Sequence, residues 1–163
     1  MNAIPVLTIQ DVAALDGVLG DYLKKTEAEL AIVIDRGGNV ISQFGDMDLT
    51  DVTIIAALAA GSFAATRELA RRIGEMEFNA LYHQGTSHHM FMNSVDDDTI
   101  MITAFGSRTT VGLVRFYAEA TAQSVAGILK SLHSNSRDFT FDAKDISVAP
   151  IFADPEAATA PPH

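Results

Sequence analysis

The sequence contains no cysteine and no tryptophan. Without cysteine there is no disulfide framework, thiol nucleophile or thiolate metal site, and the composition fits a reducing, cytoplasmic setting. Positive charge is scarce as well. Eleven Lys and Arg stand against twenty-one Asp and Glu, a formal net charge of −10. Nucleic acid and anionic membranes both demand a basic footprint, so neither is expected as the main partner. The longest uncharged apolar run is read as lying around Ile54–Gly61, far short of the ~20 residues of a membrane span. The start, Met1-Asn2-Ala3-Ile4-Pro5, lacks the basic region and apolar run of a signal peptide. What remains is 163 residues, 48% hydrophobic and 20% charged, enough for one domain with a proper core.

Catalytic motifs are missing too. Gly-x-Ser-x-Gly, Gly-x-x-x-x-Gly-Lys-Ser/Thr and Gly-x-Gly-x-x-Gly do not occur. Arg36-Gly37-Gly38-Asn39 has glycines but joins two strands rather than opening a helix, so it cannot cradle a phosphate as a P-loop does. His83, His88 and His89 form the only local histidine cluster, without a compelling third or fourth metal ligand. Asp96-Asp97-Asp98 lacks the alternating ligands and glycine of an EF-hand and reads as a solvated turn. Neither a cofactor nor a metal is expected, and the chain is not expected to be an enzyme.

Hydrophobic periodicity orders the rest. Ile9, Val12, Leu15, Leu19 and Leu23 predict a helix from about Ile9 to Lys25, capped by Thr8 with Asp11 in its first turn. Leu30–Asp35 and Val40–Phe44 predict a hairpin across the Gly37-Gly38 reversal. A long helix is expected from about Asp51 to Ile73, with Thr50 as its cap and Gly74 as its stop. Three strands follow, roughly Phe78–Gln84, His89–Val95 and Thr99–Phe105, and then a helix from about Thr110 to His133. The fold class is therefore α/β: a single layer domain, residues 8–133, with a mostly antiparallel five-stranded sheet in the order α-β-β-α-β-β-β-α. Residues 134–163 read as an acidic, largely disordered tail carrying a sparse apolar series from Phe139 to Phe152.

The second helix has two contrasting sides. Ile55, Leu58, Ser62, Ala65, Leu69 and Ile73 make a bulky stripe that is expected to cover the sheet. Opposite lie Thr53, Ala57, Ala60, Ala64, Arg67 and Arg71, small side chains running into a cluster of arginines. Small residues let another backbone approach closely, so this side is expected to dock a partner. Alanine is also simply the best helix former, and cations suit a helix C-terminus, so both features have an ordinary explanation.

Ala60-Gly61-Ser62-Phe63-Ala64-Ala65 through Ile73-Gly74-Glu75, with Phe78 and His83-Gln84-Gly85, resembles the Roadblock/dynein-light-chain family, in its bacterial gliding-motility and polarity branch. Ile34–Ser42 fits that family's first hairpin and Thr110–Arg115 the start of its last helix, and the likeness spans about Leu7 to Leu132. The resemblance implies a homodimer whose strands near Phe78–Gln84 pair into a continuous sheet, with Thr53, Ala57, Phe78, Ala80 and Tyr82 in the interface. It further implies that Ala57, Ala60, Ala64, Arg67, Glu68 and Arg71 dock a Ras-like small GTPase of the MglA type and stimulate GTP hydrolysis by remodelling its active site. A dimeric Roadblock adaptor holding a non-GTPase partner, with no effect on nucleotide turnover, is the alternative. Arg67 and Glu68 bring charge where the family pattern carries small or neutral residues, and the tail lacks the terminal amphipathic helix of relatives.

Overall fold

A computed structural model describes residues 6–46, 48 and 51–138. The elements run α1 (Ile9–Thr26), β1 (Leu30–Asp35), β2 (Val40–Gly45), α2 (Val52–Arg72), β3 (Ala80–His83), β4 (His89–Ser94), β5 (Thr99–Phe105) and α3 (Val111–Asp138), the expected order. The five strands form one antiparallel sheet in the order β2-β1-β5-β4-β3, so β2 and β3 are its edges.

Strand alternation sorts the sheet into two layers. Ala31, Val33, Phe91, Met101 and Phe105 face α1 and α3, meeting Leu15, Leu19, Tyr22, Val114, Val125 and Leu129. Leu30, Ile32, Ile34, Met92, Ile100 and Ile102 face α2 alone. In the first layer the Tyr22 hydroxyl and Thr103 Oγ1 share a hydrogen bond of 2.8 Å. Burial pushes the Tyr22 phenol up to about 12, with the Thr103 bond acting in the opposite direction.

Local chemistry sets the helix ends. Thr8 and Asp11 form a reciprocal capping box on α1, as the sequence suggests. The α2 cap is Asp51, whose Oδ1 accepts from the Thr53 and Ile54 amides at 3.1 and 3.3 Å; Thr50 lies outside the described residues. Gly74 ends α2 at φ +84, with the Glu75 amide donating to Ala70 O and the Gly74 amide to Arg71 O. That pair of bonds is a Schellman closure, and its left-handed residue favours glycine. β3 is shorter than expected, four residues, and Phe78 precedes it. α3 continues past His133 to Asp138, while the apolar series of the tail, from Phe139, lies outside the described residues.

By length and composition α2 is apolar enough to cross a membrane, the one such helix among the described residues, so its uncharged stretch outruns the expected Ile54–Gly61. One of its sides is packed on a sheet instead.

Candidate functional site

The buried side of α2 is the small one. Ala56, Ala59, Ala60, Phe63, Thr66 and Ala70 face the sheet, with Ala60 at 6% exposure and Phe63 at 0%. The stripe expected to cover the sheet does not do so, whereas in the expected docking row only Ala60 is buried and Thr53, Ala57, Ala64, Arg67 and Arg71 are exposed. Ile54, Leu58, Leu69 and Ile73, three of them in the stripe expected to cover the sheet, are 56%, 67%, 61% and 70% exposed. The reason is close approach: alanines lower the helix onto the strands, and Phe63 is buried among them. Ala60 therefore cannot belong to an open docking face.

At 100° per residue the exposed remainder of α2 divides into two flanks. One carries Ile54, Leu58, Ala65, Leu69 and Ile73, and adjoins Ile55. Ile55 lines a cavity of about 350 Å³ with Leu30, Ala104, His83, His89 and Met90, so this flank looks toward the end of the sheet that holds the β3–β4 turn. The opposite flank carries Thr53, Ala57, Ala64, Arg67 and Arg71 and looks toward the β1–β2 hairpin. There a Cβ on Gly38, which has φ +91, would meet the Ala57 Cα at 2.9 Å, so glycine admits the turn against the helix. Thr53 and Ala57 lie on this flank, and Phe78 follows Glu77, which Arg67 of the same flank reaches before β3 begins. Ala80 and Tyr82 do lie on the open edge strand, Ala80 exposed and Tyr82 half-buried.

Carboxylates already engage the arginines of the hairpin-side flank. Glu77 Oε1 receives Arg36 Nη2 at 3.3 Å and Arg67 Nε at 3.6 Å, and Arg36 also lies over the Phe63 ring. Glu68 holds Arg71 at 3.3 Å and Arg72 at 2.9 Å. Arg36 and Glu77 were not singled out from the sequence. They meet only because the hairpin turn and the segment before β3 reach the same end of the sheet.

The histidines serve the β3–β4 connection. His89 Nδ1 accepts from the Gly85 amide at 3.2 Å, and His88 Nε2 lies 3.8 Å from Glu29 Oε2. A Cβ at Gly85 would lie 2.2 Å from His88 O, a second position where only glycine fits. Among the described residues no group of three or more His, Asp or Glu could hold a metal ion.

The Roadblock/LC7 domain family model matches residues 15–105. The gliding protein MglB from Thermus thermophilus is similar at 25% identity over 80% of this chain and 99% of that one, TM-score 0.73. Myxococcus xanthus MglB is similar at 30% identity over 78% of this chain and 96% of that one, TM-score 0.71. An MglB in a tetrameric arrangement shares the fold at 24% identity over 81% and 99%, TM-score 0.74. No curated protein matches the sequence. With the family model covering more than half of its length and a 30% identical relative spanned almost end to end, the chain belongs to the Roadblock/LC7 domain family.

Proposed function

We propose that this chain is a homodimeric regulator that docks a Ras-like small GTPase of the MglA type and raises its rate of GTP hydrolysis. The observation that carries the reading is the bare apolar flank of α2, four large side chains more than half exposed on a sheet whose β3 edge is open. Pairing of β3 with β3 of a second copy would bring two such flanks together over one continuous sheet and bury both. The hairpin-side flank, with Ala57, Ala64, Arg67, Glu68 and Arg71, then stays open to the GTPase. Similarity to the two MglB structures supports a regulatory role. In this reading the chain reshapes the partner's own catalytic groups, as the family resemblance implies, and Arg67 and Arg71 stay with the carboxylates that engage them.

The test is GTP turnover by the cognate GTPase with and without this protein. Wild type is expected to stimulate hydrolysis, and Ala64→Arg to abolish stimulation while remaining a folded dimer. Stimulation by Ala64→Arg equal to wild type would place docking elsewhere. A stable complex with unchanged turnover would make the chain a Roadblock adaptor instead.

A further inference from the structure

On the face opposite α2, a cavity of about 360 Å³ opens between α3 and the β3 edge. Its walls include Asn79, Ala80, Ala118 and Ala122, and its rim carries Arg115 and Glu119, one helical turn apart. Arg115 lies over the Phe91 ring, 5.6 Å from its centre, and neither it nor Glu119 has an ion-pair partner among the described residues. At the cavity, Asn93 is 7% exposed and its Oδ1 has no hydrogen-bond partner, nor has Ser94 Oγ. Long opposite charges beside a sheet edge, left unpaired within the protomer, are what a two-fold interface needs, because such an interface must be complementary to itself.

Strand geometry says what would face them. The β3–β3 pairing proposed above puts β4 and the partner's β4 three strand spacings apart, about 14 Å. α3 is seated on β4, with Arg115 over Phe91 and the Asn93 amide donating to Ala118 O at 3.5 Å. The two copies of α3 would therefore run side by side at about that separation, beyond the roughly 8–10 Å of direct helix packing. Only long side chains span such a gap.

The register is equally specific. The middle of β3, Leu81 and Tyr82, pairs with Met92 and Phe91. Arg115 sits at Phe91 and Ala118 at Asn93, so the level of the β3 midpoint falls on α3 close to residue 116. A two-fold axis there sets position 115 of one copy opposite position 117 of the other, only about 3 Å along the helix from Glu119, and it does so twice.

We propose that Arg115 of each protomer pairs with the partner subunit's Glu119 across the dimer axis, closing the α3-side cavity into the dimer seam. This rests on the dimer reading, and the test separates the two. The full-length variants Arg115→Glu and Glu119→Arg are mixed and the dimers counted by native mass spectrometry. One protomer then carries two carboxylates at the seam and the other two guanidiniums. The mixed dimer is expected to form about tenfold more tightly than either parent homodimer, within the range of charge-pair coupling at interfaces. The preference should fade as salt is raised. A statistical mixture of a dimeric protein would overturn this pairing and leave the β3 dimer standing. A wild type that stays monomeric would overturn both. Should Arg115→Glu fail to fold after leaving the Phe91 ring, Glu119→Arg alone decides: its homodimer is expected to weaken about tenfold at low salt, and an unchanged dissociation constant would contradict the pairing.

Discussion

The two layers of helix around this sheet solve different problems. On one face α1 and α3 lie side by side and bury Leu15, Leu19, Tyr22, Val125 and Leu129 completely or almost so. On the other, α2 is alone, seated through alanines, with Ile54, Leu58, Leu69 and Ile73 left bare. The first layer is closed over its apolar side chains. The second is open, with an apolar helix flank left in solvent.

Truncation in the closed layer is the harshest way to break that contrast. Leu129→Ala should destabilise the protomer by about 2–5 kcal/mol, the range for cavity-forming core substitutions, as measured by denaturant unfolding. In the same layer, the raised Tyr22 phenol makes stability depend on alkali. Below pH 10 both states hold the proton, so nothing is lost. As pH climbs from 10 toward about 12 the unfolded chain ionises first, and stability falls. The fall attributable to this group is on the order of 2 kcal/mol, and Tyr22→Phe should lack it in parallel melts.

The open layer should answer differently. Leu58→Asp is expected to leave protomer unfolding within about 0.5 kcal/mol of wild type, as exposed substitutions do. It should nevertheless cost about 2 kcal/mol or more of association, read by sedimentation equilibrium. Substantial loss of protomer stability would instead mean that Leu58 serves its own sheet. The smallest effect belongs to the opposite flank. Arg67→Ala and Arg71→Ala should each keep stimulated GTP turnover within about threefold of wild type, against the ~10³–10⁵ expected of a lost arginine finger.

Much of this architecture could be read from residues. The apolar runs of Leu30–Asp35 and Thr99–Phe105, the Thr8 cap with Asp11 in the first turn and the Gly74 stop are local signals, and local signals survive folding intact. On α2, side-chain size does not track burial: Leu58, Leu69 and Ile73 are exposed while Ala56, Ala59 and Ala60 are buried. Periodicity says that a helix has sides but not which side the sheet takes, and a close-lying helix puts alanine inside. A usable hint was present: Phe63 sits amid alanines on a side without charge, while Leu58, Leu69 and Ile73 were too many for one narrow seam. The Arg36–Glu77–Arg67 cluster was illegible for another reason, since its members are brought together only by tertiary contacts between distant turns.

Everything functional depends on the bare flank of α2 meeting a second copy. Sedimentation equilibrium of the full chain at micromolar concentration tests this directly. The account predicts a species of twice 17.4 kDa that Leu58→Asp converts to single chains. A wild-type protein that sediments as 17.4 kDa throughout that range would contradict it.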